Sequence, residues 1–399
     1  MINKFQKFFT THQLEIFDSK VLRCYGIFLS LYLGVGLFFM SRSAVNELQE
    51  MAFPVSWPNF PSWLEIRSAN FWYAYLVVCG LIWAISIFCF VLNFKTGYWA
   101  LLTLFFMKTF LGLQDYSFMG NYHYMPAVII GLYLFSPIKK LMIPVFIVLF
   151  YFFAGLLKLN VEWLSGKALL SPVPQFLQTF GTWNFIFVIY LELVISWLLL
   201  MPFRKLRNLA LVLLILFHLI SWHWVGYFYP ITMLCLLSYF LLTWTLEPEH
   251  EILKNTRSLS HYPMLIIIIF CISQVVQKIQ PTDSTLTGDG RIIGLNMYDA
   301  QSECFQFGVV RAGTDQWEIS NGVSRESLRV RCDPILYIDQ MKRICDEFNI
   351  NNQKGEVSYY QIAKRKSEST FTQTVAIENF CSNPVRFSLF GWNKWINNK

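Results

Sequence analysis

Residues Leu141–Leu159 read LMIPVFIVLFYFFAGLLKL. This run holds one charged side chain, Lys158, next to its end. Coiled as an α-helix it is about 28 Å long, close to the thickness of a bilayer's hydrocarbon core. A helix on a soluble domain needs a polar face, and this one has none. The stretch therefore reads as a membrane-spanning helix. Eight similar runs lie around it, at about 22–40, 72–93, 97–114, 117–136, 184–203, 208–225, 229–246 and 262–277. The first follows roughly twenty polar-mixed residues rather than a short basic start, so it does not read as a removed signal peptide.

Composition agrees. The chain of 399 residues is 55% hydrophobic, 18% aromatic and 14% charged, where a soluble domain carries about 25% charged residues. An ordinary cytosolic enzyme, a disordered tail and a collagen-like fibre are excluded. What remains is a mainly α polytopic membrane bundle of about nine transmembrane helices over residues 1–280, followed by a small C-terminal α+β extramembrane domain over 281–399.

Charge is divided unevenly between the two parts. From Pro281 onward there are 14 basic and 14 acidic residues, so the whole excess of +7 lies in residues 1–280. No basic arm or face stands out, and no nucleic-acid partner is expected. Membrane lipids are the expected surroundings. With the N-terminus cytoplasmic, the inner segments carry 12 basic residues and the outer loops 4, namely Arg42, Arg67, Lys158 and Lys167. Cytoplasmic loops are the ones enriched in Lys and Arg. An odd number of spans then places the C-terminal domain on the periplasmic or lumenal side.

Five cysteines, Cys24, Cys79, Cys89, Cys235 and Cys271, fall in the spans, where they serve as small apolar fillers. The other four, Cys304, Cys332, Cys345 and Cys381, lie in the C-terminal domain. An oxidising compartment makes one or two disulfides among them an expectation, against buried free thiols, and three full pairings are open. In the same domain, Leu328–Arg331 and Phe371–Ile377 alternate as strands, and Tyr337–Phe348 has helical spacing. Gly288–Gly290 and Asn321–Gly322 read as turns.

An ionisable side chain inside a span costs roughly 2.5 kcal/mol or more, so each one points to function by default. Lys108 falls just past the middle of the third span. Asn121 and His123 lie near the outer end of the fourth, and Lys158 ends the fifth. Glu192 lies in the outer half of the sixth; His218 and His223 lie in the middle and outer third of the seventh. All fall in the outer half of the membrane, as an outward-opening cavity requires. Each also has a plainer reading. Lys158 can snorkel to the interface, Glu192 and Lys108 can pair with each other, and a lone histidine can be a structural hydrogen-bonder. His12, His250 and His261 lie in polar segments and are given no role. No metal-ligand constellation or catalytic signature occurs: H-E-x-x-H, G-x-S-x-G, the P-loop and G-x-G-x-x-G are all lacking. The segment Trp163–Thr182 reads as an outer loop able to lid a cavity.

One segment is more specific. Tyr151–Trp163 reads Y-F-F-A-G-L-L-K-L-N-V-E-W and resembles the Y-F-x-A-G-x-K-K-L-D-x-x-W segment of the vitamin K-dependent gamma-carboxylase family. Gly120–Tyr124, G-N-Y-H-Y, is similar to its N-N-H-S-Y, and Phe217–Phe228 is similar to an F-H-x-x-N-S-Q segment. The likeness covers about residues 20–280 and extends to the wider group that carries a horizontally transferred transmembrane (HTTM) domain. Leu157 stands where the family has the first lysine of its pair, Asn160 where it has aspartate, and Ser221, Trp222 and His223 where it has N-S-Q.

The resemblance implies a lyase of the gamma-glutamyl carboxylase type. Its cofactor is a reduced vitamin K or menaquinone-type hydroquinone, with O2 and CO2 as co-substrates and a secreted peptide as acceptor. In that chemistry a lysine acts as base on the hydroquinone and oxygen adds. The resulting strong base removes a γ-proton from glutamate, CO2 joins the carbanion, and the quinone leaves as its epoxide. Lys158 falls on the catalytic lysine and His123 on a histidine of the carboxylation half. The alternatives are a maturation or export factor for a secreted peptide without carboxylase activity, and a lipid-binding membrane protein or transporter. A transporter usually shows repeated halves, and no repeat is visible.

Overall fold

The computed structural model describes residues 2–49, 57, 60–66, 68–118, 120–169, 179–226, 228–247, 261–279, 282–288, 294–295, 302–313, 315–319, 332–351, 355–388 and 393–397. Side chains are described at these positions except 2–5, 42–49, 62, 117, 223–225, 277–278 and 336. The helices run α1 (Ile2–Asp18), α2 (Lys20–Gln49), α3 (Ala69–Val91), α4 (Thr96–Gln114), α5 (Asn121–Phe135), α6 (Lys139–Leu157) and the single turn α7 (Val161–Leu164). Then come α8 (Trp183–Leu193) with a 3-10 continuation Ile195–Leu200, α9 (Arg204–Val225), α10 (Phe228–Leu246), α11 (His261–Ile279), the short α12 (Ser284–Thr287) and α13 (Pro334–Ile350).

Among the described residues, seven helices are long and apolar enough to cross a membrane: α2, α3, α4, α6, α8 with its continuation, α9 and α10. This is the build of a multi-pass membrane protein. Of the nine expected spans, seven meet that length among the described residues. The two others are shorter. α5 has 15 residues, begins only at Asn121 behind an extended Gly120 and contains Pro126. The apolar part of α11 is His261–Val276. α6 is the central helix, with 72% of its span buried, whereas only 28% of α3 is buried and the rest of its apolar surface faces outward.

At the N-terminal end of α6, the fully buried Lys139 ammonium donates to Glu15 at 2.9 Å and to the Ser136 carbonyl at 2.6 Å, and it contacts His12 Nδ1 at 2.8 Å. α1 is thus fastened to the bundle by His12 and Glu15. His12, given no role by the sequence reading, is buried in this contact. Burial, and then the charge of Lys139, push its imidazole down to about 4.

The C-terminal part forms a four-stranded antiparallel sheet in the order β2-β1-β3-β4, from β1 (Ser302–Ala312), β2 (Asp315–Ile319), β3 (Gly355–Arg365) and β4 (Thr372–Ile377). Strand alternation turns Val357, Tyr359, Gln361 and Ala363 of β3 inward. The apolar face of α13, including Ile338, Met341 and Phe348, shares a core with Val357 and Tyr359. The expected helix and the expected strand before Ile377 are α13 and β4. The expected strand Leu328–Arg331, the turn Asn321–Gly322 and residues Asp289 and Gly290 lie outside the described residues. The β1–β2 hairpin was not assigned from the sequence, although Ser302–Val310 alternates.

Two disulfides brace this unit. Cys304–Cys332 closes on the end of β3, beside Ala363, and Cys345–Cys381 ties α13 to the segment after β4. The unit docks on the bundle through Tyr116, which follows α4. Its fully buried ring joins the core of the sheet unit, and its hydroxyl donates to Asp333 Oδ2 at 3.2 Å. Gly288 has φ +68°, and a Cβ there would lie 2.4 Å from the Asp333 carboxyl group, so this turn beneath Asp333 requires glycine.

Peptide mapping without reduction is expected to recover only the pairs Cys304–Cys332 and Cys345–Cys381. The loops span 28 and 36 residues, and chain-entropy reasoning gives each disulfide about 3–4 kcal/mol. Replacing either pair by serine should lower the melting temperature of the C-terminal unit. A second expectation concerns α1. An unfolded histidine takes a proton near 6.5, while folded His12 stays neutral down to about 4. The unfolded form thus binds more protons between these values, and the anchoring of α1 weakens as pH falls from about 6.5 to 4. Hydrogen exchange at residues 6–18 should accelerate over that window relative to α6.

Candidate functional site

The far end of α6 carries Lys158. Its side chain is 3% exposed, and Nζ lies 2.5 Å from Glu192 Oε2 on α8, which is fully buried. Gly155 makes this possible. A Cβ there would sit 2.9 Å from Leu193 and 3.1 Å from the Glu192 Cβ, so glycine lets α6 and α8 approach closely at this level. Asn160 then turns the chain. Its Nδ2 donates to the Leu157 carbonyl at 2.7 Å and its Oδ1 accepts from the Trp163 amide at 2.8 Å. An aspartate could cap α7 but could not also donate to the end of α6, so asparagine fits both ends. α7 carries Trp163, whose ring lies 5.1 Å from Lys158 Nζ, within cation–π range.

Tyr151 lies two turns earlier on α6, and its hydroxyl is 2.7 Å from His218 Nε2 on α9. Both side chains are fully buried. Among the described residues, Glu192 Oε1 and His218 Nδ1 are buried and have no hydrogen-bond partner. A buried acceptor or donor left in this way costs about 1–3 kcal/mol unless a ligand or water meets it. The site therefore offers an ion pair, an aromatic cover and two unanswered polar atoms.

The remaining expected residues form a second group. Lys108 is 7% exposed, and its Nζ lies 4.8 Å from the Tyr32 ring centroid. The Tyr32 hydroxyl bonds the Tyr122 carbonyl and, at 2.9 Å, the Thr232 hydroxyl. Asn121 is buried at the start of α5, and the His123 ring lies 4.4 Å from that of Tyr122. The two groups meet through aromatic rings: Tyr122 stacks on Phe228 at 5.8 Å, and the next residue, Tyr229, is 6.0 Å from His218. Glu192 pairs with Lys158 and not with Lys108, the partner weighed from the sequence. The side chain of His223 lies outside the described residues.

The sheet unit reaches the first group. Glu162 on α7 is 2% exposed, accepts a hydrogen bond from the Ser367 hydroxyl and lies 3.6 Å from the Arg365 guanidinium. Arg365 in turn grips Asp283 with two bonds of 2.8 and 3.0 Å. Burial alone would push the Asp283 carboxyl up, but the hydrogen bonds and charge of Arg365, with the Thr285 amide, hold it below its ordinary range. Tyr151, Glu162, Trp163 and Arg365 are site residues that the sequence reading did not single out. Tyr151 could have been found, because i and i+7 fall on one helix face. Arg365 could not, since it lies far along the chain from Lys158, in a separate unit.

Compared with protein-family models, with curated proteins and with solved structures, the chain finds no match in any of the three.

Removing one partner of a buried ion pair strands the other charge. Glu192→Leu or Lys158→Met alone should therefore cost about 3–5 kcal/mol. The double variant should be clearly more stable than the sum of the two predicts. Unfolding titrations of the four proteins in micelles, analysed as a double-mutant cycle, measure the coupling.

Proposed function

We propose that this chain is a membrane enzyme of the vitamin K-dependent carboxylase type, with an HTTM-like bundle, acting as a lyase that couples oxidation of a reduced quinone to carboxylation of glutamate in a secreted peptide. In this reading α5 and α11 complete nine crossings, the N-terminus is cytoplasmic, and the sheet unit stands on the periplasmic or lumenal side. The 12-to-4 distribution of basic residues supports that orientation. So do the two disulfides, which need an oxidising compartment.

One observation carries the chemical reading: a lysine buried at the end of the central helix, paired at 2.5 Å with a carboxylate whose second oxygen is unanswered. Glu192 Oε1 and His218 Nδ1, beside the rings of Tyr151 and Trp163, suit a flat aromatic ligand bearing two hydroxyl groups. The bound hydroquinone, with O2, supplies the oxidising power and the strong base that glutamate deprotonation needs. The protein's part is to handle the first proton. Lys158 can give a proton to Glu192 across their short contact and, as a neutral amine, take one from the ligand hydroxyl. Tyr151 fixes His218 by its Nε2, so that Nδ1 is the nitrogen presented. Exclusion of water by the surrounding apolar helices protects a reactive carbanion until CO2 meets it. His123, in the neighbouring group, serves the carboxylation half.

The test is conversion of a reduced quinone to its epoxide in membranes containing the protein, with O2, CO2 and a glutamate peptide. Lys158→Arg keeps the charge but cannot shed its proton. Turnover is expected to fall by about 100-fold or more while expression and folding persist. Full activity in the arginine variant would sink the assignment of Lys158 as base. No epoxide from the wild type with either vitamin K or menaquinone hydroquinone would move the reading to a peptide-maturation factor.

A further inference from the structure

The contacts around Glu162 form a clamp that the chemistry above does not use. Glu162 sits on the single turn of α7, immediately before Trp163, and is almost wholly buried. Its carboxylate is met by two residues of the sheet unit, through the Ser367 hydroxyl and the Arg365 guanidinium. Arg365 is itself immobilised. Its fork holds both oxygens of Asp283, a residue just beyond the last apolar helix, and its NH2 reaches the Thr285 hydroxyl at 3.4 Å. The end of β3 that carries Arg365 is braced by the Cys304–Cys332 disulfide, because Cys304 is the strand partner of Ala363. A rigid element thus grips the turn whose next residue covers the Lys158 ammonium. Trp163 has further anchors, its indole N–H on the Phe185 carbonyl at 3.3 Å and its amide on Asn160, but both partners belong to the helical bundle and not to the sheet unit.

We propose that Arg365 is a positioning residue: through Glu162 it holds Trp163 over Lys158, so that the C-terminal sheet unit closes the mouth of the Lys158–Glu192 site. This rests on the reading of Lys158 as the reactive group. The physical reason is geometric. A single helical turn of four residues has too few internal hydrogen bonds to be stable alone, so its position is set by what grips it. A planar guanidinium clamped on two carboxylates fixes both direction and distance, which a lysine at the same place would not.

The experiment measures protection of the Lys158 amine and needs no turnover. Full-length protein in micelles is treated with acetic anhydride, and acetylation of each lysine is followed by mass spectrometry. In the wild type, Lys158 should react at least 10-fold more slowly than Lys167, an exposed lysine nearby on the same loop. Glu162→Gln leaves the Asp283–Arg365 contact intact, so the sheet unit keeps its own fold, and should raise the Lys158 rate about 5-fold or more. Arg365→Lys should raise it as well, by a smaller factor. Lys139, buried at the opposite end of the same helix, should stay protected in every variant. Unchanged Lys158 protection in Glu162→Gln would overturn the proposal. So would a joint rise at Lys158 and Lys139, because that reports loosening of the whole bundle. A negative epoxide assay alongside an increase confined to Lys158 would reject the quinone chemistry and keep the clamp.

Discussion

A charge buried between apolar helices must be met by an opposite one, and the contact between Lys158 and Glu192 is where this molecule meets that demand. Much of the local structure follows from it. The two side chains are short of each other unless α6 and α8 nearly touch, which Gly155 allows. Once α6 ends at this pair, the chain has to leave the bundle without stranding its last carbonyls. Asn160 does so by bonding the end of one helix and the start of the next. The pair is a weak stabilising device, since taking both ions from water costs about as much as their attraction returns, and two packed apolar residues would serve stability as well. What it provides is a proton donor and acceptor held in contact, away from water, with one carboxylate oxygen still open.

The ring of Tyr151 and the histidine it binds extend that logic along the face of α6. The hydroxyl fixes one nitrogen of His218 and leaves the other buried without a hydrogen-bond partner among the described residues. From there a line of rings, Tyr229, Phe228 and Tyr122, leads to the Tyr32 and Lys108 group. The chemistry-bearing side chains therefore fall in two neighbouring groups joined by aromatic packing.

Hydropathy alone located the bundle, since a span is a local property: the apolar runs of α2, α3, α4, α6, α9 and α10 stand in the sequence within a few residues of where they fold. The run 262–277 folds as α11 almost unchanged, while the run 117–136 folds as the shorter α5. A hydropathy window counts residues from 117 onward into the span, but the helix begins only where the backbone leaves the extended Gly120. The residue types of the site were legible for the same reason, as rare ionisable groups in apolar runs. Their partners were not. Whether Glu192 meets Lys158 or Lys108 depends on which helices a glycine lets approach, and no spacing within either helix records that. His12 shows the converse: its polar neighbours hid it, and only the Lys139 ammonium folding back onto α1 reveals its place. The disulfide pairing was likewise open, because four cysteines fix no connectivity until β1, β3 and α13 are packed.

The C-terminal unit adds a constraint that neither part imposes alone. Tyr116 plugs the end of α4 into its core, while Arg365 ties β3 both to the end of the last apolar helix and to the turn over Lys158. Contacts to Tyr116, to Asp283 and to the turn α7 together fix the orientation of the unit on the bundle. The Asp283 carboxyl, kept below its ordinary range by Arg365, remains charged throughout the neutral range, so this grip is lost only as pH falls through that lowered value. The Cys304–Cys332 disulfide, on the strand paired with β3, keeps the sheet from yielding in place of the turn. A rigid cap on a dry ion pair means that whatever reaches Lys158 must either come sideways through the bundle or move the cap.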